Sequence, residues 1–180
     1  TNNRMPKTDL HRMRISRIPD NSVIFCIGRR GSGKTTDILD IFSHKRHRFK
    51  YGICMCGSKA TIKEYERIMP STFIYYGFHP QVLMDLIDEQ EKKAELGTVQ
   101  PVFVLLDDCM YLRKAITSDP SVIRLMNNGR HCKIFLVISL QYGTDMPPSL
   151  RQQVDYAFLK QEKNPENRTR LYKNFNVCFS

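Results

Sequence analysis

A glycine-rich loop carries the residue types that bind phosphate. Residues 28–35 read Gly-Arg-Arg-Gly-Ser-Gly-Lys-Thr, which fits the pattern of glycine, any four residues, glycine, lysine, and serine or threonine. Because glycine has no Cβ, the backbone N–H groups of such a loop can close around phosphate oxygens. The spacing predicts that the Lys34 ammonium reaches the β- and γ-phosphates and that the Thr35 hydroxyl binds the accompanying Mg²⁺. The predicted nucleotide-binding residues are Gly28, Arg29, Arg30, Gly31, Ser32, Gly33, Lys34, Thr35 and Thr36.

Two consecutive carboxylates follow a continuous apolar segment, residues 102–106. In P-loop ATPases the first acid after such a strand orders Mg²⁺ and its waters, and the next acts on the attacking water. We therefore assign Asp107 to magnesium, together with Thr35, and Asp108 to the water. The simpler alternative is that the two acids only cap the turn after the strand.

Three more polar residues are candidates for the reaction. Gln141 follows the apolar segment 133–138, and a strand inserted between the loop strand and the acidic strand would turn Gln141 toward the γ-phosphate. The alternative is that Gln141 caps a turn. Charge on a transferring phosphoryl group needs an arginine, which can come from a neighbouring subunit. Arg130 is our first candidate for this arginine and Arg151 our second, whereas an arginine in a loop is more often a surface charge.

Apolar patterning places these residues on an α/β framework. The loop lies between a predicted buried strand, 22–27, and a predicted helix, 35–42, so the helix N-terminus points at the phosphates. A chance match in a glycine-rich turn would lack both elements. The other predicted strands are 51–56, 73–76, 102–106, 133–138 and 156–159, and the other predicted helices are 61–69, 80–96, 120–127, 149–154 and 165–174. This order predicts a mostly parallel sheet whose strand ends meet at one ligand-binding edge.

The length favours one core domain, because 180 residues are ample for a single α/β domain and too few for two. We predict a basic N-terminal arm over 1–21, a P-loop ATPase domain over 22–180, and a basic linker over 43–50 within that domain.

The charge balance favours a polyanionic partner. Lysine and arginine number 28 against 18 aspartate and glutamate, which leaves a formal charge of +10. Such a surplus favours nucleic acid through counterion release, although a run of charge is more often a solvated face.

Cysteine spacing and hydropathy argue against several other classes. The six cysteines include no Cys-x-x-Cys pair, so we expect buried, reduced thiols rather than a zinc site. No apolar run approaches the length of a membrane span, and the opening residues are too basic for a signal peptide. We expect an intracellular, soluble protein.

Taken together, the motifs carry a resemblance to a known family. Residues 28–35, 105–108, 128–131, 138–141 and 146–151 resemble those of the genome-packaging ATPases of large nucleocytoplasmic DNA viruses. These poxvirus-type packaging ATPases belong to the FtsK/HerA class of P-loop ATPases. The resemblance covers most of the chain, and the Asn-Gly-Arg-His segment with the later Gln, Pro and Arg is more specific than the loop alone. Asp108 stands where cellular members usually carry glutamate. The viral branch is similar to this sequence in using aspartate.

The resemblance implies a three-layer P-loop NTPase with a RecA-like sheet, which hydrolyses ATP with Mg²⁺. It implies a homo-oligomeric ring through which double-stranded DNA is threaded into a preformed capsid, with a capsid or portal-vertex protein as a possible partner. The expected location is the viral assembly site in the host cytoplasm, or the virion.

Other functions of the same motifs remain open at this point. A cellular HerA-like or FtsK-like translocase shares the fold. A nucleoside or nucleotide kinase shares the loop but would need an arginine-rich lid and an acceptor pocket. A nucleotide-gated switch is a third class, although the sequence has no Asn-Lys-x-Asp guanine signal.

Overall fold

A computed structural model describes residues 12–109 and 116–175. Within these residues one sheet of six strands forms, in the order β3-β2-β4-β5-β1-β6. The strands are β1 (Val23–Ile27), β2 (Gly52–Cys56), β3 (Ile74–Tyr76), β4 (Val102–Asp107), β5 (Ile134–Leu140) and β6 (Tyr156–Leu159). Every neighbouring pair is parallel, which confirms the predicted α/β fold.

Helices connect the strands, as a parallel sheet requires. They are α1 (Lys34–Lys45), α2 (Lys59–Tyr65), α3 (Pro80–Glu95), α4 (Pro120–Asn128), α5 (Pro148–Arg151) and α6 (Pro165–Phe175). Short 3₁₀ turns lie at Ile15–Arg17, Arg46–Arg48, Ser71–Phe73 and Gly143–Asp145.

The core lies in two layers on the two faces of the sheet. Because side chains of a strand alternate between faces, Phe25 of β1 packs with residues of α3 and α4, whereas the adjacent Ile24 packs with residues of α1. The central strands β4 and β5 are buried along their whole length, which explains their continuous apolar sequences. The result is the predicted three-layer arrangement.

Element ends differ from the sequence prediction in two places that matter for the site. Strand β5 continues to Leu140, two residues past the predicted end, because Ser139 and Leu140 are buried and pair with Cys26 and Ile27 of β1. The predicted basic linker over 43–50 is wrong in its first half. Helix α1 runs to Lys45 and a 3₁₀ turn follows, because the Lys45 side chain is buried against the core.

The segment before β1 packs on the domain over its described residues. Ile18 is buried, and Asp20 accepts hydrogen bonds from Lys45 Nζ at 2.5 Å and Arg48 Nε at 2.8 Å. The domain boundary after residue 21 stays a prediction.

Among the helices of the described residues, none combines the length and the apolar character needed to cross a membrane.

Candidate active site

The sheet order gathers the candidate residues at one edge. Strand β5 lies between β1 and β4, as the prediction for Gln141 required. A backbone hydrogen bond joins the carboxyl ends of β1 and β5, since Gly28 N–H donates to Leu140 C=O at 3.0 Å. On the other side of β4, Gly57 N–H donates to Asp107 C=O at 2.9 Å. The phosphate loop, Gln141 and the acidic pair therefore share the edge where open α/β sheets bind ligands.

The loop adopts a conformation that needs glycine. Gly31 and Gly33 have positive φ angles of 72° and 88°, a region in which a side chain is strained. Gly33 is also the N-cap of α1 and gives the first turn no side-chain acceptor. The N–H groups of that turn therefore remain available to a ligand. Lys34 Nζ donates to two loop carbonyls, Gly28 at 2.7 Å and Arg29 at 3.2 Å.

The residues of the loop fit a phosphate chain. The Ser32 hydroxyl oxygen is buried and has no hydrogen-bond partner among the described residues. An unpartnered buried hydroxyl is costly, and this one lies beside the N-terminus of α1, which has no side-chain cap. Arg29, Arg30 and Thr36 are exposed and Thr35 is half-buried, so their side chains are accessible to the same ligand.

Asp107 is the most constrained of the candidates. It is 3% exposed at the end of β4, and the Tyr65 hydroxyl donates to its Oδ2 at 2.7 Å. Burial raises the pKa of Asp107, and the Asp108 carboxylate raises it further. The neighbouring hydroxyls of Ser139 and Tyr65 and the Lys34 ammonium act in the opposite direction. Lys34 is therefore close enough to Asp107 to interact electrostatically with it.

Ser139 contributes a buried hydroxyl at the same place. It lies in β5 beside Asp107 and influences the Asp107 pKa, yet its Oγ makes no regular hydrogen bond to any described residue. The oxygens of Asp107, Thr35 and Ser139 are hard donors of the kind that Mg²⁺ and its bound waters prefer. No cluster of three or more His, Cys, Asp or Glu side chains occurs in the described part of the chain. A magnesium ion here would thus depend on oxygens of the nucleotide and of water.

Asp108 is held beside Gln141 by a strained turn. Its φ angle is +51°, unusual for a residue with a side chain, and Gln141 Nε2 donates to its Oδ1 at 3.3 Å. The backbone that follows β2 packs closely against this turn, because a Cβ on Gly57 would lie 2.2 Å from the Asp108 carbonyl oxygen. A carboxylate and an amide side by side can orient and deprotonate a water molecule.

The two candidate arginines lie elsewhere. Arg130 precedes β5 and forms an ion pair with Asp155 at 3.0 Å, at the amino edge of the sheet. It is on the opposite edge from the phosphate loop of its own chain. Arg151 caps carbonyls of the segment that follows Gln141, chiefly Met146 at 3.0 Å. The structure therefore keeps Arg130 away from the loop of the same chain, and a role for either arginine across a subunit boundary stays a prediction.

Sequence reasoning missed two residues at this edge. Tyr65 looks like one more apolar position of helix α2, and nothing in the sequence signals that its hydroxyl meets Asp107. Lys160 follows β6, and its backbone N–H donates to Ile27 C=O at 2.8 Å, which carries its side chain across the phosphate loop. Its ammonium pairs with Asp37 of α1 at 2.6 Å. Only the pairing of β6 with β1 could have revealed this position.

The described cysteines are buried, free thiols. Burial raises the pKa of Cys26, beneath the loop, to about 12, and that of Cys56 to about 11. Burial thus disfavours the thiolate form of both side chains near neutral pH. Cys178 lies outside the described residues.

A curated viral protein is similar to most of the chain. Uncharacterized protein 015R of Frog virus 3 (isolate Goorha) is 38% identical over 151 residues, which are 83% of this chain and 47% of that protein. The chain thus spans about half the length of this relative.

Solved structures show the same fold. The DNA-packaging ATPase B204 from Sulfolobus turreted icosahedral virus aligns with a TM-score of 0.61 and 21% identity, over 89% of this chain and 86% of that one. The genome packaging NTPase B204 from Sulfolobus turreted icosahedral virus 2, in complex with ATP-gammaS, aligns with a TM-score of 0.59 and 17% identity, over 90% and 85% of the two chains.

The family profile described as poxvirus A32 protein matches residues 10–177, which is nearly the whole chain. This match confirms the resemblance to the poxvirus-type packaging ATPases that the motifs indicated. The chain belongs to the poxvirus A32 protein family.

Proposed function

We propose that this chain hydrolyses ATP with Mg²⁺ to drive double-stranded DNA into a viral capsid. The observation that carries the proposal is the convergence of Lys34, Asp107, Asp108 and Gln141 at one edge of a parallel sheet. Family membership supports it, as do the structural relatives, which are described as genome-packaging enzymes and one of which holds an ATP analogue.

Each residue then has a role in binding or hydrolysis. Lys34 exchanges the loop carbonyls of Gly28 and Arg29 for the β- and γ-phosphates. Thr35 and Asp107 would hold a magnesium ion, which would supply Lewis-acid stabilisation of phosphate charge. The Tyr65 hydroxyl fixes one oxygen of Asp107, so the carboxylate keeps a single orientation.

Hydrolysis requires a positioned water and a cation for the developing charge. Asp108 accepts the proton of the attacking water, and Gln141, hydrogen-bonded to Asp108, orients that water and responds to the loss of the γ-phosphate. The cation comes from a neighbouring subunit, with Arg130 as the first candidate and Arg151 as the second.

The proposed partners follow from charge and family. The formal charge of +10 favours the DNA backbone. We further propose that the active form is a homo-oligomeric ring, that a capsid or portal-vertex protein receives it, and that it works at the viral assembly site in the host cytoplasm or remains in the virion.

Steady-state ATP turnover, measured with and without long duplex DNA, tests the proposal. We expect turnover that requires Mg²⁺ and rises on adding DNA, and we expect none in the matched Lys34→Ala variant. DNA-independent transfer of phosphate to a nucleoside would instead identify a kinase. Normal turnover in Lys34→Ala would remove the loop from the active site.

A further inference from the structure

Lys160 lies along the phosphate loop. A Cβ built on Gly28 would be 2.6 Å from Lys160 Cβ, so the first glycine of the loop is required partly by this lysine. A Cβ built on Gly33 would be 3.7 Å from Lys160 Nζ. The Lys160 side chain therefore extends from the beginning of the loop to its end, and its ammonium lies at the N-terminus of α1.

The partner of this ammonium is a carboxylate in the first turn of α1. Asp37 Oδ1 is 2.6 Å from Lys160 Nζ, and the two side chains are 27% and 25% exposed, respectively. A partly exposed ion pair contributes only modestly to stability, because water solvates both charges. The pair can thus open at little cost when a stronger acceptor arrives.

The site consequently contains two cations that the protein itself holds. Lys34 is bound by loop carbonyls and Lys160 by Asp37. A phosphate chain in the loop would present several charged oxygens to the N-terminus of α1, where the Lys160 ammonium lies. It competes with one carboxylate whose own charge opposes phosphate binding.

We propose that Lys160 is a second phosphate-binding cation of this site. When nucleotide binds, the Lys160 ammonium exchanges its ion pair with Asp37 for a contact with a nucleotide phosphate. The inference rests on the proposed function, because it assigns a further contact to the same nucleotide. Lys160 is then a binding residue, and Asp37 is the acceptor that holds its ammonium while the loop is empty.

The alternative is that the pair is only a structural brace between β6 and α1. The two hypotheses predict different effects of the Lys160 and Asp37 variants on nucleotide affinity. If Lys160 binds phosphate, removing its charge weakens nucleotide binding, whereas removing the charge of Asp37 strengthens it. A brace would be broken equally by either change, so both variants would bind nucleotide less tightly or equally well.

Equilibrium binding of ATP-gammaS to the purified chain distinguishes the two. We expect Lys160→Met to raise the Kd about tenfold, the effect of losing one charge-assisted hydrogen bond. Asp37→Asn is expected to lower the Kd several-fold. In the double variant the gain from Asp37→Asn should be smaller, because the part of it that acts through the freed lysine is lost and only the removal of a negative charge remains. Lys163→Met, an exposed lysine nearby, is the matched control and should leave the Kd unchanged.

Two further measurements keep the result interpretable. Lys160→Arg retains the positive charge and should keep the Kd within about threefold of wild type, given the different geometry of a guanidinium. Unfolding of each nucleotide-free variant by circular dichroism shows whether it is folded. Repeating the titration with ADP and AMP identifies the phosphate involved, since the effect of Lys160→Met persists only while that phosphate is present.

The outcomes also separate this inference from the proposed function. Wild-type protein that binds ATP-gammaS and hydrolyses ATP, with Lys160→Met and Asp37→Asn shifting the Kd in the same direction, overturns the role of Lys160 alone. Wild-type protein that binds no nucleotide overturns both.

Discussion

The environment of Asp107 opposes its ionised form in the nucleotide-free protein. The carboxylate is buried, and Asp108 adds a second negative charge beside it. Lys34, whose charge favours the ionised form of Asp107, donates its hydrogen bonds to loop carbonyls. Function thus places a charge where the fold does not favour one, a common conflict in active sites.

We expect Asp107→Asn to stabilise the nucleotide-free protein at neutral pH while abolishing turnover. The pKa of Asp107 is raised in the folded state, so its stabilising contribution is complete below the unfolded pKa and is lost as pH rises through the folded value. Asparagine removes the buried charge and can still accept the Tyr65 hydrogen bond. The gain should be about 1 kcal/mol, or about 2–4 °C in Tm, and should vanish toward pH 4.

Thermal unfolding over a pH series measures this effect. Asp40→Asn is a suitable control because Asp40 is an exposed carboxylate of α1, and its Tm should change little. A lower Tm for Asp107→Asn at neutral pH would contradict the account.

Asp108→Asn should separate nucleotide binding from hydrolysis. The variant keeps the loop and Asp107 but loses the carboxylate that accepts the proton of water. We expect an unchanged Kd for ATP-gammaS and a turnover about 10²–10⁴-fold lower. Binding and single-turnover hydrolysis, measured on one preparation, check both parts. Near-normal hydrolysis would mean that another group is the base.

At the scale of elements, the end of β2 supports the end of β4. The N–H of Gly57 binds the Asp107 carbonyl, and its Cα leaves room for the Asp108 carbonyl. The strained conformation of Asp108 thus depends on the residue that follows another strand, β2.

Gly57→Ala should therefore damage the site through backbone displacement. The new Cβ would lie 2.2 Å from a backbone oxygen, which cannot rotate away as a side chain could. We expect a loss of about 1–3 kcal/mol in stability, as for other overpacked sites, together with reduced turnover. Chemical denaturation and an ATPase assay measure the two effects. Ser58→Ala, which removes an atom from the adjacent residue, should leave both nearly unchanged, and a wild-type-like Gly57→Ala would refute the contact.

The sequence predicts the strands and the acidic edge because both depend on local pattern. Residues 102–106 are apolar throughout, and parallel strands bring their ends together whatever the helices do. Tyr65 and Lys160 could not be predicted, since their roles depend on which strands are neighbours. The end of α1 was missed for a similar reason: a buried lysine reads as a loop residue until its tertiary partner is known.

That partner is Asp20, and the pair fastens the segment before β1 to α1. The Lys45 side chain is 3% exposed and bonds to Asp20 at 2.5 Å. Burial raises the pKa of Asp20, but hydrogen bonds from Lys45 and Arg48 outweigh this and leave it lowered. The pair's contribution is therefore present above the unfolded pKa of Asp20 and is lost as pH falls through the folded value.

Asp20→Ala should destabilise the protein by about 3–5 kcal/mol, because it leaves a buried lysine without its counter-charge. Denaturant unfolding at neutral pH gives the value. Asp40→Ala is the control, since Asp40 is an exposed residue of α1 that pairs with the exposed His44, and its effect should stay below about 1 kcal/mol. If Asp20→Ala also lost less than about 1 kcal/mol of stability, Lys45 would have another acceptor or would reach solvent.

At the scale of the whole molecule, the two ends of the sheet carry different parts of the proposed reaction. The phosphate loop and the acids lie at the carboxyl edge, whereas Arg130 lies at the amino edge, fixed by Asp155. One chain cannot bring these edges together. In the proposed ring, a head-to-tail interface that set the amino edge of one subunit against the carboxyl edge of the next would bring the two together.

Mixing inactive variants tests this arrangement. Arg130→Ala subunits retain an intact loop and Lys34→Ala subunits retain an intact arginine, so a boundary between them in the right order is complete. With random assembly of equal amounts, about one quarter of boundaries are complete, and turnover should recover to at most that share of wild type. The matched mixture of Arg151→Ala with Lys34→Ala should show no recovery beyond the residual activity of Arg151→Ala, since Arg151 caps carbonyls of its own chain. Recovery only in the second mixture would transfer the role to Arg151, and recovery in neither would contradict an arginine shared between subunits.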